Sequence, residues 1–224
     1  MGESAEVLFS IGPLEVTGVV VTSWGIIAVL ALVAFLATRK LTEVPGLLQS
    51  GAEIAVSSLE NFLAGTMGEK NAKKYFPIFA TFFIYIIVSN YSGILPGIGH
   101  YEAFKVPTAC LSVTAGLAGV AFFTTHTIGI KERGWKDYLL SFAKPFIFFL
   151  PLNLIEQFVR PFSLALRLYG NLYGEEEVTS KLYEIFPLLL PLIMQVLSLL
   201  FCFIQALVFT MLLSIYVSEG IEEE

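Results

Sequence analysis

From Val16 to Thr38 the chain carries no charged residue, and the run stops at Arg39-Lys40. A bilayer core about 30 Å thick takes roughly 20 apolar residues in helical form. Within lipid each peptide N–H and C=O must find its partner inside the segment, so this run predicts a membrane-spanning helix. Four further runs repeat the pattern. Phe76 to Leu95 ends in the breaker Ser92-Gly93-Ile94-Leu95-Pro96-Gly97, and Thr108 to Ile130 ends at the charged segment 131–137. Residues 146–178 form a fourth, longer run, interrupted by Pro151 and Pro161. Pro187 to Val217 is the fifth, with Pro187 and Pro191 near its first turn, where a missing N–H costs least. The last two runs are long enough to form a tilted hairpin.

Composition agrees. The chain is 56% hydrophobic and only 14% charged, where a soluble domain carries about a quarter charged residues. The expected fold is therefore an all-α integral membrane protein, with residues 1–224 as one membrane domain. The net charge of −6 says little about partners, because seven of the 19 acidic residues sit in two clusters, Glu175 to Glu177 and Glu219 to Glu224. No basic patch points to nucleic acid, and no residue pattern calls for a metal or a cofactor. Cys110 and Cys202 lie in apolar runs and read as reduced, buried thiols. The first ten residues lack the positive region of a signal peptide, and Glu6 spoils a myristoylation motif.

Between the first two spans, residues 46–64 follow a different period. Leu48, Ala52, Ala55, Val56, Leu59, Phe62 and Leu63 share one helical face, with Glu53, Ser57, Glu60 and Asn61 opposite. That pattern predicts an amphipathic helix on the membrane surface.

Orientation follows from lysine and arginine. With the N-terminus outside, the inner loops hold Arg39, Lys40, Lys70, Lys73, Lys74, Lys131, Arg133, Lys136 and Lys144, and the outer loops only Lys105 and Lys181. Five crossings then place the C-terminus in the cytoplasm. Two basic residues stay outside this account, Arg160 and Arg167.

Both lie in the fourth run. At 100° per residue, Glu156, Arg160, Ser163, Arg167, Asn171 and Gly174 fall within about 40° of one line. Phe158, Phe162, Ala165, Tyr169 and Leu172 lie opposite. An arginine at mid-membrane costs from about 2.5 to more than 10 kcal/mol, so the stripe must face protein or water. Arg160 has Glu156 at i−4 as a counter-ion. Arg167 has no carboxylate at i±3 or i±4, where Leu164, Gly170, Ser163 and Asn171 stand. Its counter-ion is expected from elsewhere. In the fifth run Ser198 and Gln205 share a face, with Gln195 nearby, and Asn90 sits near the outer end of the second. These suit either helix packing or a hydrated path. Glu176 projects away from Arg167 and suits an entrance between helices.

The segment Ser163-Leu-Ala-Leu-Arg-Leu-Tyr-Gly-Asn-Leu-Tyr-Gly-Glu-Glu176 resembles the signature of subunit a of rotary ATP synthases, with Tyr169 in a Phe position. The stretches 204–219, 89–97 and 106–114 resemble other segments of that family, and the resemblance spans essentially the whole chain. It implies a stator subunit with two ion half-channels beside a ring of subunit c hairpins. Further implied partners are peripheral-stalk subunit b, the rest of the synthase and membrane lipid. The transported ion would be a proton or sodium, in a bacterial plasma membrane rather than an organellar one, with no catalytic site on this chain alone. Arg167 matches the family's essential arginine, which faces the ring carboxylates. Asn171, Glu176 and Gln205 match positions of the outer half-channel or the arginine's surroundings, and Glu175 adjoins them. Ser198 matches a position that often holds histidine or glutamate, and Cys110 one that often holds Asp. A secondary transporter binding an anion through Arg167 is the alternative, against which stands the lack of an internal repeat. A purely structural anchor leaves Arg167 without a use.

Overall fold

The computed structural model describes residues 7–11, 14–39, 46–93, 106–142, 148, 150–185 and 189–221. The expected all-α membrane architecture is present. Among the described residues, four helices are long and apolar enough to cross a membrane: Gly18–Leu36, Gln49–Ser92, Leu111–Arg133 and Leu192–Ile221. A further helix of 36 residues is equally long, but its polar stripe keeps it out of that group.

The chain opens with an antiparallel hairpin, β1 (Val7–Ile11) and β2 (Leu14–Thr17), which hydropathy did not announce. Helix α1 (Gly18–Thr38) follows directly, so the first span begins two residues later than the apolar run. Most of its side chains beyond Ile26 are exposed, Leu32 and Phe35 among them. They are left for lipid or a partner.

Helix α2 (Leu47–Ser92) joins what the sequence divides into a surface helix and a span. The two parts meet at Gly68, whose φ of 77° breaks the helical geometry, a conformation glycine adopts without a Cβ penalty. Residues 51–58, before the break, are exposed on every side, Ile54 and Val56 included. Burial starts at Leu59, Leu63 and Met67.

A short 3₁₀ turn (Pro107–Ala109) leads into α3 (Leu111–Arg133). Gly134, at φ 85°, turns the chain into the seven-residue α4 (Trp135–Ser141) within the expected loop. The turn lays Tyr138 against α3, where a Cβ on Gly129 would stand 2.4 Å from the ring. Gly129→Ala should therefore push α4 away and cost about 1–3 kcal/mol, the scale of overpacking. A lowered melting temperature of the purified chain, partly restored by Tyr138→Leu, is the expected readout; an unchanged one would place the ring elsewhere. Nearby, Lys74 Nζ meets Glu132 Oε1 at 2.5 Å and the Tyr75 hydroxyl donates to the same carboxylate, tying α2 to α3.

Helices α5 (Leu150–Ile185) and α6 (Leu189–Ile221) form the expected long antiparallel hairpin. Pro161 lies inside α5. The core gathers Phe79 and Ile86 of α2, Ala118 and Ala121 of α3, Leu164 and Leu168 of α5, and Cys202, Phe209 and Leu213 of α6. Phe82 stacks on Phe209 with ring centres 6.0 Å apart, one of the contacts that make α2 and α6 the closest-packed pair.

Candidate functional site

Helix α5 buries Leu164, Ala165, Leu168 and Leu172 against the rest of the chain. Leu168 follows Arg167 by one residue, a rotation of about 100°. Arg167 therefore stands on the flank of the packed face and is exposed. Among the described residues it makes no hydrogen bond or ion pair. Its neighbours one turn away are Ser163, Leu164, Gly170 and Asn171, of which Gly170 is exposed. At Gly170 and Gly174 a Cβ would meet nothing within 4 Å, so the surface beside the guanidinium is flat and open. Among the described residues, none matches this permanent charge.

The sequence treats the six stripe residues as one face. The structure divides them. Ala165 and Leu172, expected opposite the stripe, are in the core, while Phe158 and Phe162 on that same side are 63% and 64% exposed. The reason is that neighbouring helices cover α5 from one side only, about a quarter turn from the stripe. Ser163 and Gly174 are half-buried. Glu156 and Arg160 form the expected pair, Arg160 Nη2 donating to Glu156 Oε1 at 2.7 Å. Arg160 is further bonded to Glu219 of α6 at 2.5 Å, a partner 59 residues away that helical spacing could not indicate.

Toward the C-terminal end of α5 a further acidic residue turns into the fold. Glu175 enters the gap between α5 and α6, where Ser198 Oγ donates to its Oε1. Its Oε2 is buried with no hydrogen-bond partner. Glu176, expected at an entrance between helices, is exposed. Successive residues differ by about 100°, and the packed face of α5 falls on the Glu175 side.

Several other polar groups are buried on the helices lining this gap. Ser198 is 2% exposed, Gln205 8% and Asn90 1%. Asn90 Nδ2 donates to the Cys202 carbonyl at 3.4 Å, which brings α2 to the middle of the α6 polar face. The Tyr91 hydroxyl donates to the Leu199 carbonyl at 3.2 Å. Asn90 Oδ1, Asn171 Nδ2 and Gln205 Nε2 are buried and unpartnered, as are Ser89 Oγ and Thr108 Oγ1. Buried polar atoms normally find partners, and leaving one unmade costs about 1–3 kcal/mol. These atoms lack a partner among the described residues.

Ser89 and Thr108 lie in the stretches 89–97 and 106–114, but helical spacing does not single them out. Gln195 is exposed. Cys110 is half-buried beside Ser112, with Sγ 3.2 Å from Oγ, and Cys202 is buried; both are free thiols.

The family described as ATP synthase A chain matches residues 20–218. A relative from Pelobacter propionicus, ATP synthase subunit a 3, is 42% identical over 205 residues, covering 90% of this chain and 86% of the relative. ATP synthase subunit a of Geotalea daltonii is 41% identical with the same coverage. ATP synthase subunit a 2 of a Bradyrhizobium strain is 35% identical over 218 residues, covering 97% of this chain and 95% of its own.

Proposed function

Because this chain belongs to the ATP synthase subunit a family, we propose that it is the stator of the membrane sector, carrying ions past a rotating ring of subunit c. It works as one component of the ATP synthase, and the bond-making chemistry of ATP belongs to other subunits. The observation that carries this reading is Arg167, exposed and without a partner among the described residues, on a flank left open at Gly170 and Gly174. A ring helix bearing a mid-membrane carboxylate fits that flank and supplies the missing counter-ion.

The physics assigns two tasks to one guanidinium. An opposite charge at close range favours the ionised carboxylate, so a ring site passing Arg167 gives up its ion. Arginine also stays protonated at any physiological pH, so it repels a cation that tries to pass directly between the two half-channels. On the outer side, the gap holding Glu175, Ser198, Asn171, Asn90 and Gln205 collects the ion and hands it toward the ring. Exposed Glu176 and Glu177 stand nearby and raise the local cation concentration. On the inner side, the stripe from Ser163 to Glu156 leads to the cytoplasm. The lysine and arginine bias sets the N-terminus outside and the C-terminus inside a bacterial plasma membrane. Subunit b is the expected stalk partner, and the ring decides between proton and sodium.

Mild detergent extraction followed by native mass analysis tests the assignment. The expected result is recovery of this chain with several copies of a small carboxylate-bearing hairpin. Recovery as a lone chain or a homodimer, under conditions that preserve other synthases, would overturn it.

A further inference from the structure

The inner ends of α5 and α6 are joined at Arg160, a member of the stripe proposed to lead to the cytoplasm. Arg160 Nη1 donates to Glu219 Oε2 at 2.5 Å, and its Nη2 and Nε donate to Glu156 Oε1 at 2.7 and 3.3 Å. The guanidinium lies 4.8 Å over the Tyr216 ring. Its side chain is 19% exposed, against 53% for Glu156 and 49% for Glu219. So the cation is largely enclosed between an aromatic face and two carboxylates, one from its own helix and one from the next. The anchor on α6 is itself fixed: Leu213 and Val217 are buried, and a Cβ on Gly220 would stand 3.9 Å from Gly129 Cα of α3. Arg160 thus ties α5 to a turn that is already packed against the body of the protein.

Arg160 precedes Arg167 by seven residues, about 10 Å along the helix axis, and shares its side of α5. At the other end, Glu175 meets Ser198 eight residues beyond Arg167. On the proposed reading that outer link makes and breaks as ions pass. The inner one need not. We infer that Arg160, through Glu219 and Tyr216, is a positioning residue that pins α5 axially against α6 and so sets the depth of Arg167 against the ring. Surface ion pairs contribute little to stability, but position matters more here, since a displacement near 1 Å can cost on the order of 100-fold in rate. Glu156 shares the charge without joining the helices.

The inference rests on the role proposed for Arg167, and its test separates the two. In the intact complex in vesicles, nitroxides at Phe162 and Met211 report the α5–α6 distance in a labelled background that still makes ATP. Arg160→Gln and Glu219→Ala should each broaden that distance distribution and lower coupled synthesis about 10- to 100-fold. Arg160→Lys, which keeps a charge within reach of Glu219, should recover most of both. A distribution that stays sharp in Arg160→Gln or Glu219→Ala overturns the pin, whatever happens to synthesis. Broadening with normal synthesis overturns its link to Arg167. Arg167→Ala should keep the distance sharp, so normal synthesis in that variant overturns the function proposed for Arg167 and leaves the pin standing.

Discussion

Arg167→Ala is expected to abolish ion-coupled ATP synthesis in reconstituted vesicles while the chain still inserts and assembles. Within its own chain Arg167 is exposed and, among the described residues, without hydrogen-bond or ion-pair partners. Truncating such a side chain usually changes stability by no more than about 0.5 kcal/mol. The loss falls on transport instead. On the proposed function, a ring carboxylate without the guanidinium has no reason to release its ion, and nothing charged separates the half-channels. Coupled synthesis should fall by at least the order of 100-fold seen when one preorganised electrostatic contact is removed. Passive ion conductance should rise. Arg167→Lys should fail as well, because a compact, strongly hydrated ammonium does not replace a planar fork. A cysteine at Gly170 should cross-link to the ring helix and one at buried Leu168 should not. Normal coupled synthesis by Arg167→Ala vesicles would sink the assignment.

Glu175→Gln should slow coupled transport by on the order of 100-fold at low outer ion concentration, the scale of a positioned proton-transfer group. Its carboxylate lies between α5 and α6, one oxygen bonded to Ser198 and the other buried and unpartnered. Amide substitution keeps the shape and removes the charge that receives a cation. Raising the outer ion concentration should restore part of the rate, since the defect is in loading and not in release at Arg167. Ser198→Ala should move the rate in the same direction by a smaller factor. Glu176→Gln should cost less than Glu175→Gln, because its side chain stands outside the gap. A larger defect for Glu176→Gln would reverse the order of the two carboxylates. Normal transport after neutralising Glu175, Glu176 and Glu177 together would mean that the ion enters by another route.

Hydropathy alone determined that the chain lives in a membrane as helices, because a bilayer leaves an uncharged run of that length no other way to satisfy its backbone. The singular position of Arg167 was equally legible: with no carboxylate within a turn, the need for an outside counter-ion follows from helical spacing. Family motifs then implied the kind of partner proposed for it. What the one-dimensional pattern could not supply was rotation and contact. A period of 3.6 residues fixes the angle between Glu175 and Glu176, but which of them enters the gap depends on how α5 is turned against α6. That turn is decided by the packing of Leu164, Leu168 and Leu172. In the same way, apolar residues opposite the stripe could be assigned to one face but not to core or surface. Gly68 is an ordinary glycine in sequence, and only the folded chain makes it the bend that fuses a surface helix to a span. The Arg160–Glu219 bond joins residues 59 apart. Local spacing carries no trace of it, because it exists only once two antiparallel helices have brought the start of α5 beside the end of α6.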